Sequence, residues 1–212
     1  WIYIPNGVDT ERFPVSPNHV HSPKTFITVG AIKPRKGQDL GVEALQILVK
    51  NHPEATYFIV GDTNNPMQQK LEQTIQKNGL EKNVVFEGRI SDEELIELYN
   101  SVTVYVQPSR VDQAGSYEGA PLTLLEASAC GIPIIGSDAS AAAELIKDGY
   151  NGYLVPNDNA EGLASALKKI FENPEQAQKM GKNARLEAEK LSWSENAKQM
   201  TEIYKKTLVQ NS

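Results

Sequence analysis

Three cations close together are the first residues of this sequence that could do chemistry. Lys33, Arg35 and Lys36 fall within four positions, and Gly37 follows them where an amphipathic segment begins. The first amides of a helix are unpaired and carry the positive end of its dipole, so cations beside them predict a seat for a diphosphate. We favour Lys36 as its main contact. A solvated basic turn is the alternative, and the cations alone fit it equally well, but Gly37 permits the close backbone approach that a binding site needs.

Two glutamates and a proline form a second candidate anion site. Glu118 and Glu126 stand on either side of Pro121, with seven residues between them. Proline suits the first position of a helix, where its missing N–H costs nothing, and it leaves the amides of Leu122 and Thr123 free to point at an anion. At about 1.5 Å per residue, Glu126 falls roughly 7–8 Å further along this helix.

The two carboxylates make no sense as phosphate ligands, because like charges repel. They make sense as acceptors for hydroxyl groups on either side of the phosphates, and a nucleotide sugar carries its hexose, diphosphate and ribose in that order. We therefore assign the hexose hydroxyls to Glu118 and the ribose diol to Glu126. Leu122, Leu125 and Ala129 place Glu126 on an apolar face, where its charge needs hydrogen bonds. The alternative is an exposed loop glutamate and a glutamate in an internal ion pair.

Alternating strand-like and helix-like segments must position these residues. Such alternation is typical of an α/β domain with a doubly wound parallel sheet, which is the Rossmann-like fold class. The pattern predicts strands over residues 26–30, 55–61, 84–88, 102–107, 132–136 and 153–156. It predicts helices over residues 38–50, 66–78, 121–130 and 139–147, one opened by the capping box at 91–94, and three more towards the end of the chain. Ligands of such sheets bind beyond the carboxyl ends of the strands, where the strand order reverses. The loops after the first and fourth strands are therefore the candidate positions.

The length and composition fit one such domain. We expect a lead-in or interdomain segment over residues 1–23, a nucleotide-sugar donor-binding domain over 24–191 and a helix over 192–212 that closes it. The first residue, Trp1, indicates a piece of a longer chain. A net charge of −6 argues against nucleic acid as a partner. The single cysteine, Cys130, excludes an internal disulfide framework and a multi-thiolate metal site, and it fits a cytoplasmic protein.

The three histidines are expected to have no functional role, and one absent motif argues against another class of enzyme. His19, His21 and His52 lie in polar, proline-containing stretches and are expected to be solvated loop residues. The turn after the first strand lacks the G-x-G-x-x-G pattern of dinucleotide-binding domains, which argues against a redox enzyme. Asp62, at the end of the second predicted strand, could still act as a ribose-binding acid, so that alternative stays open.

Residues 108–133 resemble the signature of a large family, the retaining glycosyltransferases with the two-domain GT-B fold. In that family, two glutamates seven residues apart precede a helix of small residues, and Glu118 and Glu126 match them. The resemblance extends to residues 4–9, 29–30, 36–37, 86–88 and 148–155, and so to nearly the whole chain. It implies one half of a GT-B fold, namely the C-terminal, donor-binding domain.

The resemblance also implies ligands and roles. The substrate would be a UDP-, GDP- or ADP-sugar, with no cofactor and no metal, and Glu118 and Lys36 would be the catalytic residues. The family usually has an arginine where this chain has Ala31, and Lys33 or Arg35 would substitute for it. The remaining donor-binding residues expected are Gly88, Arg89 and Ile90 at the base, with Gly119, Ala120, Leu122, Thr123 and Glu126.

The function implied is hexose transfer to a glycan or lipid-linked acceptor in polysaccharide biosynthesis. It would need the N-terminal acceptor domain, so this chain alone would bind its donor without transfer. The full-length protein would be cytoplasmic and peripheral to the membrane. The alternatives are a nucleotide-sugar epimerase or phosphorylase of the same architecture and a non-catalytic sugar-nucleotide-binding module.

Overall fold

The computed structural model describes residues 4–16, 24–62, 65–111, 119 and 121–210. Within these residues, six parallel strands form one sheet in the order β3-β2-β1-β4-β5-β6. The strands are β1 (Thr25–Val29), β2 (Thr56–Val60), β3 (Val84–Gly88), β4 (Val104–Gln107), β5 (Ile134–Ser137) and β6 (Gly152–Val155). The predicted fold class, a doubly wound Rossmann-like sheet, is therefore confirmed.

Helices connect the strands and close the chain. They are α1 (Gln38–Leu48), α2 (Pro66–Lys77), α3 (Asp92–Ser101), α4 (Leu122–Ala129), α5 (Ala142–Leu145), α6 (Ala160–Glu172), α7 (Pro174–Glu189) and α8 (Trp193–Gln210). A short 3-10 helix over Pro34–Lys36 precedes α1. None of the helices in the described part of the chain is long and apolar enough to cross a membrane.

Both faces of the sheet are buried. Successive strand residues point to opposite faces, so Phe26 packs on the side of α1, α2 and α6, where it meets Leu45. Its neighbour Ile27 packs on the side of α3 and α4, where it meets Leu124. Two-sided burial explains why the strands are continuous apolar runs without polar alternation.

The strand order places the candidate loops side by side. The chain moves outward from β1 to β3 and then crosses back through α3 to β4, which pairs with β1 on its other edge. The order therefore reverses between β1 and β4. Since all strands are parallel, the loops that follow these two strands lie next to each other at the carboxyl edge of the sheet.

The predicted start of α3 is confirmed in detail. The Ser91 amide donates to the Glu94 carboxylate at 2.7 Å, and the Glu94 amide donates to the Ser91 hydroxyl at 3.2 Å, which completes a capping box. Such a box satisfies two amides that the helix itself leaves unpaired. Ser91–Glu94 thus acts structurally, at the end of β3.

Two sequence predictions are wrong in ways that have clear causes. The helix expected over residues 139–147 shrinks to Ala142–Leu145, because Ser137 and Ser140 accept hydrogen bonds from the Ala139 and Ala142 amides and form turns. His52 is not solvated. It is 7% exposed and packs edge-on against Phe171 of α6, with ring centroids 6.3 Å apart. His19 and His21 lie outside the described residues.

The lead-in segment lies against the last helices. The Val8 amide donates to the Leu191 carbonyl at 2.7 Å, and the Asn196 side chain donates to the Pro5 carbonyl at 2.6 Å. A Cβ on Gly7 would lie 2.7 Å from the backbone nitrogen of Trp193. Residues 5–8 therefore pack against the end of α7 and the start of α8.

Candidate functional site

The cationic turn follows β1 as a single 3-10 turn. It ends at Gly37, whose φ of 70° lies in the left-handed region and which is also the N-cap of α1. Lys36 folds back over Gly30, because a Cβ built on Gly30 would lie 3.4 Å from both Cε and Nζ of Lys36. The Lys36 ammonium group is thereby held against the carboxyl end of β1.

The electrostatics of the turn favour an anion. Burial and, to a smaller extent, the neighbouring charges of Arg35 and Lys33 together lower the pKa of Lys36 to about 8. A cation that is costly to keep charged gains more from an incoming anion than a fully solvated cation would. This is the response expected of a phosphate-binding lysine.

Gln38 holds the turn in place, and the sequence reasoning did not identify it. Its side-chain amide donates to the carbonyls of Gly30 and Ala31, both at 3.2 Å, and the residue is 2% exposed. A polar side chain directly after the N-cap glycine was the available signal. Gln38 thus ties the first residue of α1 back to the end of β1.

The loop after β4 touches the cationic turn directly. A Cβ on Gly37 would lie 1.9 Å from the Pro108 carbonyl oxygen, so only glycine fits there. The Arg110 amide donates to the Arg35 carbonyl at 2.9 Å. The two loops singled out by the sequence are therefore joined.

The start of α4 differs from the prediction by one residue. Pro121, with φ −74° and ψ 118°, is the N-cap, and Leu122 is the first helical residue. The Leu122 and Thr123 amides still belong to the first turn, where the helix supplies no acceptor. Leu122 is not on the apolar face: it is 44% exposed, because the helix begins after the proline and turns this residue outward.

A buried polar chain fixes this helix start against β4. The Tyr105 hydroxyl lies 2.8 Å from the Thr123 hydroxyl and also donates to the Gln107 side chain, whose amide donates to Ser109 at 2.6 Å. The sequence reasoning missed this chain. Polar residues within an otherwise apolar strand were the signal.

Glu126 is half-buried beside Tyr99. The Tyr99 hydroxyl lies 3.5 Å from Oε2 of Glu126 and 3.3 Å from the Thr123 carbonyl. Burial raises the pKa of Glu126, and the hydrogen bond with Tyr99 opposes this in part. Leu125 and Ala129 are buried as expected. No cation in the described part of the chain forms an ion pair with Glu126, so the alternative of an internal ion pair finds no support there.

The proposed base-binding residues lie two strands away, after β3. Gly88 has φ 68°, its carbonyl accepts from the Gly61 amide at 2.8 Å, and Ile90 packs on the α3 and α4 side of the core. The exposed Arg89 guanidinium donates to Asp62 at 3.0 Å. Asp62 is therefore paired within the protein, which does not favour its use as a ribose-binding acid.

Not all predicted residues come together. Lys33 lines a separate cavity of about 230 Å³ between α1 and α2, with Asp39, Glu43 and Lys70, so Arg35 and Lys36 are the cations left beside the loop after β4. Glu118 and Ala120 lie outside the described residues, and their roles stay predictions. Gly119 is described and exposed, with open space around its Cα. No group of three acidic, histidine or cysteine side chains suited to a metal occurs among the described residues.

The arrangement suits a ligand that carries an anionic group and, next to it, hydroxyl groups. A cationic turn and a first-turn pair of helix amides follow the neighbouring strands β1 and β4, and the Gly37–Pro108 contact joins their loops. Glu126, whose ionised form is disfavoured by burial, lies one turn into the same helix. Phosphates suit the first two elements, and hydroxyl donors suit the third.

Comparisons with known proteins identify the family of the chain. The family model described as glycosyl transferases group 1 matches residues 9–187. A GDP-mannose-dependent alpha-(1-6)-phosphatidylinositol monomannoside mannosyltransferase of Mycolicibacterium smegmatis is 30% identical over 189 residues, which cover 84% of this chain and 49% of that protein. The chain thus spans about half the length of the curated relatives it matches.

Solved structures share the fold. The C-terminal domain of a group 1 family glycosyl transferase, LpcC of Francisella tularensis, is 26% identical with a TM-score of 0.74, and the match covers 85% of this chain and 96% of that one. HepE of Anabaena, solved with UDP and glucose, is 23% identical with a TM-score of 0.83, over 96% of this chain and 57% of that one. From the match over residues 9–187, the chain belongs to the group 1 family of glycosyltransferases.

Proposed function

We propose that this chain is the donor-binding domain of a retaining glycosyltransferase that transfers a hexose from a nucleotide-diphosphate sugar to a glycan or lipid-linked acceptor. The observation that carries the proposal is the junction of the cationic turn with the loop after β4, where Gly37 meets Pro108 and Arg110 meets Arg35. This junction lies at the point of strand reversal, where Rossmann-like sheets bind nucleotides.

The diphosphate is the group on which the domain acts. When the bond to the hexose breaks, negative charge develops on the departing nucleotide diphosphate. Lys36, Arg35 and the Leu122 and Thr123 amides offset that charge from fixed positions, which is where preorganised electrostatics lowers a barrier most. The lowered pKa of Lys36 supports this role, because a bound diphosphate restores the stability of the ammonium group.

The carboxylates orient the rest of the donor. Glu126 accepts hydrogen bonds from the ribose diol. Burial removes water from its carboxylate and raises its pKa, which supports a role in which the ribose hydroxyl groups replace the lost hydrogen bonds to water. Glu118 orients the hexose for transfer with retention at the anomeric carbon. The backbone of residues 88–90 contacts the base, so side chains contribute little to the choice of base.

The donor is a UDP-, GDP- or ADP-hexose, and the reaction uses neither a cofactor nor a metal ion. The relative from Mycolicibacterium smegmatis is GDP-mannose-dependent and the HepE structure contains UDP, which supports this class. The acceptor is held by an N-terminal domain, so this chain alone binds donor without transferring its sugar. The whole protein works in the cytoplasm, at the membrane surface.

The test is a ligand-observed NMR titration of the 212-residue chain with UDP-glucose, GDP-mannose and ADP-glucose. We expect saturation transfer to the ribose and base protons of at least one donor. In Glu126→Ala, the ribose signals should weaken while phosphate-dependent binding persists. Glu202→Ala, in exposed helix α8, is the matched control and should bind as the wild type does.

The proposal would be contradicted if the chain bound none of the three donors. Binding of NADH in preference to every nucleotide sugar would identify a redox domain. Unchanged ribose signals in Glu126→Ala would remove the assigned role of this carboxylate.

A further inference from the structure

Arg110 makes contacts that the proposed donor site does not explain. It follows β4 in the loop that leads toward Glu118, and its side chain is 19% exposed. Its Nη1 donates to Oδ2 of Asp39 at 2.8 Å, and its Nε lies 2.9 Å from Oδ1 of Asp158. The Nε contact lacks hydrogen-bond geometry, so it is an ion pair held by charge.

These contacts join three separate parts of the chain. The Arg110 backbone amide donates to the Arg35 carbonyl in the cationic turn. Asp39 belongs to the first turn of α1, and Asp158 lies in the loop before α6 with a left-handed φ of 55°. Aspartate is one of the few non-glycine residues that adopt this conformation readily. Arg110 therefore connects the cationic turn and α1 to the loop between β6 and α6, on the same face of the sheet.

Arg110 also lies close to three acidic side chains, Asp39, Glu43 and Asp158. Burial raises the pKa of Glu43, Asp39 and Asp158 raise it too, and Arg110 lowers it. Asp39 is only three residues from Lys36, so its carboxylate would repel a diphosphate bound at the turn. The guanidinium group of Arg110 offsets this charge and withdraws the Asp39 side chain into an ion pair.

We propose that Arg110 is a positioning residue for the diphosphate: it holds the cationic turn against the loop after β4 and cancels the acidic charge of Asp39 and Asp158 behind it. This inference rests on the proposed function. Arg110 does not touch the donor. It acts through the position of Arg35 and Lys36.

The test compares the affinities of UDP and UMP for the 212-residue chain by calorimetry, together with thermal unfolding. If the wild type prefers GDP or ADP, that diphosphate and its monophosphate take the place of UDP and UMP. Arg110→Gln removes the charge at similar length, and Arg110→Lys keeps the charge without the planar fork. We expect Arg110→Gln to weaken UDP binding roughly tenfold and UMP binding much less, with Arg110→Lys in between. Lys36→Met already removes one of the two cations through which Arg110 acts, so adding Arg110→Gln to it should change the UDP-to-UMP ratio of affinities less than Arg110→Gln does in the wild type.

Arg185 offers a matched control. Its guanidinium is also half-buried and donates to the carbonyls of Thr10, Phe13 and Ala129, away from the cationic turn. Arg185→Gln should lower Tm and leave the UDP-to-UMP ratio unchanged. A merely structural role for Arg110 would produce the same result.

The outcomes separate the two proposals. If the wild type binds UDP, GDP or ADP and Arg110→Gln keeps the wild-type UDP-to-UMP ratio, Arg110 is not a positioning residue and the donor site stands. If Arg110→Gln fails to fold, the ratio for Arg110→Lys decides in the same way. A wild-type chain that binds none of UDP, GDP and ADP contradicts the proposed function and this inference with it.

Discussion

Burial and two neighbouring cations disfavour the charged form of Lys36. The pKa is lowered to about 8, so the free chain loses this charge within an accessible pH range. A bound diphosphate favours the ammonium form and raises its pKa again. The affinity for the anion is therefore highest below pH 8 and declines as the pH rises through that value.

This gives the first prediction. Between pH 7 and pH 9.5, where the phosphates are already ionised, we expect the Kd of UDP to rise by up to about tenfold per pH unit above pH 8. Calorimetry in buffers of different ionisation enthalpy should show proton uptake on binding. Lys36→Met should bind more weakly, with a flatter profile, and an identical profile in both proteins would assign the titration to another group.

The charge of Glu126, the residue proposed to bind the ribose, is expected to lower the stability of the free chain. Burial raises its pKa above the unfolded value, so the ionised form is disfavoured in the folded chain at neutral pH. The penalty is complete above the folded pKa and absent below the unfolded pKa of 4.5. Removing the charge should therefore stabilise the free chain.

The second prediction concerns Glu126→Gln. At pH 7.5 we expect Tm to rise by roughly 1–3 °C, a small effect because solvent still screens a half-buried carboxylate. The difference should vanish as the pH falls to 4, and UDP should bind more weakly. Thermal unfolding at pH 7.5 and at pH 4 measures the difference in Tm between the variant and the wild type. A lower Tm for the variant at pH 7.5 would show that Glu126 stabilises the fold.

At the scale of elements, one glycine controls how α1 approaches the loop after β4. Gly37 combines a left-handed φ of 70° with a Pro108 carbonyl that leaves no space for a Cβ. Gly79, after α2, has a similar φ of 66° and open space around it. The two glycines therefore separate the cost of backbone conformation from the cost of a clash.

The third prediction compares their alanine variants. Gly79→Ala should lower the free energy of unfolding by about 1 kcal/mol, the cost of a left-handed alanine, and leave UDP binding intact. Gly37→Ala should cost roughly 2–4 kcal/mol and abolish UDP binding, because the turn must move away from Pro108. Urea unfolding and calorimetry measure both. Equal losses would mean that the approach of the two loops is not tight.

At the scale of the whole molecule, the strand order decides what can form one surface. The sheet brings β1 and β4 together although their residues are almost eighty positions apart, as in the pairing of Phe26 with Val104. The residues proposed to contact the base, after β3, lie at the same edge, whereas α8 is the last helix of the chain. A ligand held at the carboxyl edge should therefore affect several distant segments at once.

The fourth prediction tests this by hydrogen exchange. UDP should slow amide exchange in peptides covering residues 30–38 and 121–126 together, with a smaller effect at 88–90 and none at 193–208. Exchange of the free chain supplies the reference for each peptide. Protection confined to one of the first two segments would mean that the cationic turn and the start of α4 do not share a ligand.

Local patterns were sufficient for much of the fold. The strand Val84–Gly88 and the capping box at Ser91 are as expected, because periodicity and side-chain capping depend on residues a few positions apart. The family signature also located the cationic turn and Glu126 without any coordinates. The helix expected at 139–147 failed for a local reason too, since serine side chains competed for the backbone amides.

The sequence alone thus determined the fold class, the family resemblance and the candidate residues, because these depend on pattern and residue type. Only the tertiary structure decided that Leu122 is exposed, that Tyr105 holds Thr123 and that Arg110 joins Asp39 to Asp158. Each of these depends on partners from separate elements. Their contact arises from sheet order and helix packing, which no local spacing encodes.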